Sequence, residues 1–179
     1  MSSEFSRSHF ELFGLAPSFE IDEVRLAEVY RQLQRTVHPD RYAGASDQER
    51  RLSVQRAAQV NEAYQTLKDP YRRARYLLAL HGIDVQEESN TIMDAEFLME
   101  QMELRESLAG VHDASDPHGK LLVLRRDIEQ RVAALRSQLR DLFRDATPES
   151  LEHAGEVLRK MRFLNRLLQE AEEVEERIA

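Results

Sequence analysis

His38 and Asp40 are the residues whose types best suit chemistry, and Pro39 between them restricts the backbone that carries both. An imidazole two residues from a carboxylate is a candidate general acid and base. Neither a nucleophile nor a metal-ligand constellation accompanies the pair, and the chain has no cysteine for a disulfide, a thiolate metal site or a thiol nucleophile. What the tripeptide does have is a setting. It lies between two strongly helical segments, in a polar loop, and such loops present side chains to a partner more readily than they fill a core. The docking reading is therefore preferred to the enzymatic one.

The elements that hold this loop follow from periodicity. A short helix is predicted from His9 to Gly14, anchored by Phe10 and Phe13. A second runs from about Asp22, an N-cap residue type, to Val37, with Leu26, Tyr30, Leu33 and Val37 as one buried stripe. Arg31 and Arg35 are four apart and roughly opposite that stripe, where they form either a docking face or a merely solvated one. Pro39 forbids the helix from continuing. A third helix from about Asp47 to Lys68 turns Ala57, Val60, Tyr64 and Leu67 inward. Asp69-Pro70 ends it, and a shorter helix with Tyr76, Leu77 and Leu80 closes at Gly82.

Composition agrees with an all-α chain of 179 residues: 6 Gly and 5 Pro leave little material for hairpins, and 32% of residues are charged. Residues 1–80 carry a net charge of +1 and residues 81–179 a net charge of −9. So acidic a second half argues against nucleic acid as its partner. No run approaches the ~18 apolar residues of a membrane span, and Met1 to Arg7 lacks the apolar core of a signal peptide. A cytoplasmic protein with no membrane association is expected. Gly82 to Asn90 is polar and without a helical stripe, and reads as a linker.

Beyond it, a helix from about Asp94 to Leu108 carries two apolar arcs. Phe97, Leu104, Leu108 and Val111 fall on one; Leu98, Met99 and Met102 fall on another, flanked by Glu103 and Glu106. The second arc either packs on both sister helices or faces a separate partner. Gly110 to Gly119 has the residues of a loop, and its His112 and His118 read as solvated. Leu121, Ile128, Val132, Leu135, Leu139 and Leu142 form a seam on a long helix. Ala154, Val157, Met161, Leu164, Leu168, Ala171 and Ile178 step like heptad positions on another. Thr147 and Pro148 suit the N-cap and first position of that last helix. An antiparallel three-helix bundle results. Phe163 lies about a third of a turn off the seam, and an exposed ring is expected there.

The basic helix, the His38-Pro39-Asp40 loop and Asn61-x-Ala63-Tyr64-x-x-Leu67-x-Asp69-Pro70, with Arg73-Ala74 beyond, resemble a J-domain. The runs Tyr76 to Gly82, Phe97 to Glu106 and Arg159 to Leu164 resemble HscB, the J-domain co-chaperone family of iron–sulfur cluster assembly. The resemblance implies a J-domain over 8–80, a linker over 81–92 and a C-terminal three-helix bundle over 93–179. It implies that Arg31, Gln34, Arg35, His38, Pro39, Asp40 and Arg41 engage an HscA-type chaperone ATPase of the DnaK family. It implies that Leu98, Met99, Met102, Glu103, Glu106 and Phe163 hold an IscU-type scaffold protein. The chain is then an adaptor that stimulates a partner's ATPase, without a cofactor, metal or catalytic residue of its own, and a monomer or weak dimer. The alternative is a J-protein of the same fold serving a general DnaK-type chaperone and another client. Two departures stand out: Val37 replaces an aromatic residue frequent before the histidine, and Gly110 stands where the family can carry an acidic residue. The cysteine-rich extension of some eukaryotic relatives has no counterpart, so the chain resembles the bacterial form.

Overall fold

The computed structural model describes residues 8–37, 44, 46–85 and 95–178. Among these, every regular element is an α-helix, and the chain divides into two compact units, Met1–His81 and Gly82–Ala179.

The first unit contains α1 (His9–Leu12), α2 (Glu23–Val37), α3 (Asp47–Lys68) and α4 (Pro70–Leu80). Local chemistry sets the boundaries. Ser8 caps α1 by accepting the Glu11 amide at 3.2 Å while the Glu11 carboxylate accepts the Ser8 amide at 2.7 Å. Gly14, at φ +62°, supplies the left-handed turn that follows. Asp22 accepts the Arg25 amide at 2.9 Å ahead of α2, and Ser46 with Glu49 repeats the reciprocal cap at α3. The Ser46 hydroxyl also donates to the Glu49 carboxylate at 2.8 Å, and this bond, with the one from the Ser46 amide, holds the Glu49 carboxyl below its ordinary pKa.

Asp69 ends α3 and caps α4 at once, its carboxylate accepting the Arg72 amide at 2.7 Å, with Pro70 at the first helical position. One dipeptide therefore makes the corner between two helices. Inside that corner Arg73 is buried; its Nη1 donates to the Leu67 carbonyl at 2.6 Å and its guanidinium lies 5.4 Å from the Phe19 ring. Phe10, Phe13, Leu26, Val60, Ala63, Leu67, Ala74, Leu77 and Leu78 are buried in this unit. On α4, Leu77 and Leu78 are buried and Leu80, at the end of the helix, is 47% exposed.

The second unit is built from α5 (Ala95–Ala109), α6 (Pro117–Asp145) and α7 (Pro148–Ile178). Its core joins Leu104 and Leu108 of α5 and Val111 after it to Leu121, Leu124 and Ile128 of α6, and to Leu164, Leu167 and Ala171 of α7. Val132, Leu135, Phe163, Leu168 and Ile178 pack around it, partly buried. The α6–α7 turn uses Ala146 at φ +48° and Thr147, whose hydroxyl accepts the Ser150 amide at 3.1 Å. Besides the expected seam, Leu151, Leu158 and Leu167 of α7 are buried, a wider arc than a two-helix heptad needs, because α7 contacts both α5 and α6.

Two segments read from sequence as irregular are more ordered than that. Helix α6 already begins at Pro117: Asp116 caps it by accepting the Gly119 amide at 3.0 Å, and proline is tolerated in a first turn. Gly119 leaves the space that this cap occupies, since a Cβ there would lie 2.2 Å from Asp116 Oδ2. Val85, in the stretch read as linker, is buried, with its Cγ2 3.9 Å from where a Cβ on Gly155 of α7 would stand.

Candidate partner-binding surfaces

In the first unit, α2 presents Arg31 and Arg35 to solvent. Gln34, between them in sequence, is engaged elsewhere. Its amide donates to the Tyr30 hydroxyl at 2.9 Å and to Asn61 Oδ1 of α3, and the Tyr30 hydroxyl donates to the same oxygen at 2.9 Å. The Tyr30 ring stacks on Tyr64 at 3.9 Å with the planes 10° apart. These contacts tie α2 to α3 over the last turns before residue 38. The expected trigger residues His38, Pro39 and Asp40, with Arg41, lie outside the described residues.

In the second unit, α5 divides into the two faces that periodicity indicated. Phe97, Leu104 and Leu108 are buried, whereas Leu98, Met99 and Met102 are 46, 64 and 72% exposed. Those exposures decide the question left open by the second arc: it does not pack on the sister helices. Glu103 and Glu106 beside it are exposed as well. The result is an apolar strip rimmed by carboxylates, the composition of a protein-binding patch.

Phe163 departs from expectation. Its ring is partly buried and meets Phe97 edge to face, centroids 5.8 Å apart and planes at 87°. Arg105 lies 5.5 Å from the Phe163 ring and Lys160 lies 5.2 Å from the Phe97 ring. A position off the heptad seam is covered here because α5 approaches α7 on that side.

Three charged residues went unnoticed in the sequence reading. Arg105 stands seven residues after Leu98 and three after Met102, so it extends that face toward Phe163. Arg131 of α6 pairs with Glu100 of α5 and, at 2.9 Å, with Asp127 of its own helix. Partial burial works against its charge, but the hydrogen bonds and charges of Asp127 and Glu100 outweigh this and raise its pKa. An open cleft of about 350 Å³ lies here, lined by Glu96, Met99, Glu100, Glu103 and Arg131. At the end of α5, Lys120 donates to the Gly110 carbonyl at 3.0 Å, placing a cation at a helix C-terminus. Only the i, i+7 spacing of Arg105 was visible beforehand.

Residues 8–76 match the DnaJ domain, and residues 93–172 match a domain described as the HSCB C-terminal oligomerisation domain. Over 169 residues the chain is 44% identical to the HscB co-chaperone homolog of Shewanella halifaxensis, covering 94% of this chain and 97% of that one. The chain belongs to the HscB co-chaperone family. The HscB homolog of Photobacterium profundum is 46% identical over 170 residues, again with 94% and 97% covered. Among solved structures, chaperone HscB from Vibrio cholerae superposes with a TM-score of 0.81 at 42% identity, over 97% of this chain and all of that one. Human HscB superposes with 0.87 at 32% identity, over 95% and 83%. The DnaJ match thus spans α1 to most of α4, and the HSCB C-terminal match takes in α5, α6 and most of α7, the bundle on which the apolar strip stands. No described helix is long and apolar enough to cross a membrane.

Proposed function

We propose that this chain couples an IscU-type iron–sulfur scaffold protein to an HscA-type chaperone ATPase in the cytoplasm, stimulating ATP hydrolysis in the partner's active site. The observation that carries the reading is the outward strip of α5, where Leu98, Met99 and Met102 stay exposed while the opposite face of the same helix is buried. An exposed apolar strip costs solubility unless something covers it. The acidic rim of Glu103 and Glu106 favours a partner with basic groups around an apolar centre. The second end is the DnaJ match over residues 8–76, where on this reading Arg31 and Arg35 meet acidic side chains of the chaperone and Asp40 accepts a charge-assisted bond from an arginine. Holding scaffold and chaperone on one chain raises the effective concentration of client at the chaperone. The loop contact shifts the chaperone's cycle only through preferring one of its states.

Calorimetric titration of an IscU-type scaffold into the full chain tests this. Saturable binding is expected, weakened at least about tenfold by Leu98→Ala with Met102→Ala, in line with loss of central apolar contacts. Unchanged binding in that double variant removes the assigned face. Absence of scaffold binding in the wild type, with another client retained, favours service to a general DnaK-type chaperone instead.

A further inference from the structure

The apolar face that anchors α5 is narrow. At about 100° per residue, Phe97, Leu104 and Leu108 fall within roughly 40° of one another. So narrow a stripe holds the helix down but resists rotation about its own axis poorly, and the flanks must supply that resistance. On the α7 flank, Phe163 meets Phe97 edge-on and lies under Arg105. On the α6 flank, the contact is ionic: Glu100 of α5 to Arg131, whose Nε donates to Asp127 Oδ2 at 2.9 Å. Asp127 is one turn before Arg131, so the guanidinium is anchored to its own helix while it reaches across.

Arg131 also lines the cleft whose other walls include Met99 and Glu103, two of the residues assigned to scaffold binding. It therefore stands directly beside the part of the strip farthest from Phe163. We propose that Arg131 is a positioning residue for the scaffold-binding face: by joining Glu100 to Asp127 it sets the rotation at which α5 presents Met99 and Glu103. This rests on the reading that the outer face of α5 binds the scaffold. Arg131 acts through Glu100, without touching the partner itself.

The test exploits the opposite charges of the pair. Arg131→Met and Glu100→Met keep aliphatic stems and helix propensity, but one lowers the net charge by one and the other raises it. A loosened α5 weakens scaffold binding in both variants, by roughly two- to fivefold given what partly exposed ion pairs contribute. Amide shifts of Met99 and Glu103 move in both variants before any scaffold is added. The exchanged pair Arg131→Glu with Glu100→Arg recovers most of the affinity. Should Arg131→Met fail to fold, Arg131→Lys, which keeps one point charge, is expected to bind at an intermediate level. Opposite shifts in the two single variants would show long-range charge alone and overturn the proposal. Weakening in Arg131→Met with Glu100→Met unaffected would overturn it too, by making Arg131 a direct contact, as would no change in either. Leu98→Ala with Met102→Ala, run alongside, separates the two levels: if only that pair lowers affinity, the positioning role fails and the binding face stands.

Discussion

Phe97 and Phe163 meet edge to face at 5.8 Å, so the aromatic residue assigned to the scaffold-binding patch is also part of what holds α5 to α7. A residue with both duties confounds a binding test. Phe163→Ala should lower the stability of the bundle by about 1–3 kcal/mol, less than the ~3–5 of a fully enclosed phenylalanine. Met102→Ala, 72% exposed, should stay within about 0.5 kcal/mol of wild type, and Leu98→Ala, 46% exposed, should cost no more than about 1 kcal/mol. Thermal melts of the three variants check this; equal losses in all three would place Leu98 and Met102 in the core.

Gln34 and Arg31 are expected to separate in the same way on the J-domain. Gln34→Ala removes two of the three hydrogen bonds among Tyr30, Gln34 and Asn61, leaving Tyr30 to Asn61, and should destabilise the first unit by about 1 kcal/mol. Arg31→Ala should leave stability unchanged, yet slow association with the chaperone and reduce its salt dependence. Hydrogen exchange along α2 with stopped-flow binding resolves the two. A Gln34→Ala variant as stable as wild type would deny the link its structural weight.

Much of this architecture was legible in the chain itself. Asp69-Pro70 marked a corner because one carboxylate and one proline serve two helix ends, and the two arcs of α5 followed from a turn of about 100° per residue. What escaped notice depends on residues distant in sequence. Glu100 and Arg131 are 31 positions apart, Gln34 and Asn61 are 27 apart, and no local pattern announces either pair. The exposed ring expected at Phe163 was wrong for the same reason, since a neighbouring helix covers it. The start of α6 was misplaced for a local reason: proline and glycine suit loops, but they also suit the first turn of a helix capped by Asp116.

That cap gives a coupling prediction. A methyl at residue 119 would meet the Asp116 carboxylate at 2.2 Å and displace it from the amide it accepts. Asp116→Ala should cost about 1 kcal/mol in the wild type and nearly nothing in a Gly119→Ala background. A double-mutant cycle by denaturant unfolding measures the coupling, and full additivity would refute it.

His9 makes stability depend on pH. Its ring stacks on Tyr76 at 4.3 Å, and burial pushes its pKa below the ordinary 6.5, only partly opposed by the Glu62 charge. The unfolded chain therefore takes up the proton at higher pH than the folded one. The stability is fully present above pH 6.5 and falls as the pH drops through 6.5 toward the lowered folded value. The Glu49 carboxyl, also lowered, loses its contribution in a separate window below its ordinary 4.5. Melts of wild type and His9→Phe between pH 8 and 5 should differ in slope, with the variant flatter. Parallel slopes would assign the dependence to other groups.

The coupling of two partners through one chain is tested most directly by the steady-state ATPase rate of a purified HscA-type chaperone, with this chain and an IscU-type scaffold added singly and together. The rate should rise far more with both than with either alone. Asp40→Asn should abolish the rise, and Leu98→Ala with Met102→Ala should shift it to higher scaffold concentration. A rate that the wild-type chain leaves unchanged, with scaffold present, contradicts the account.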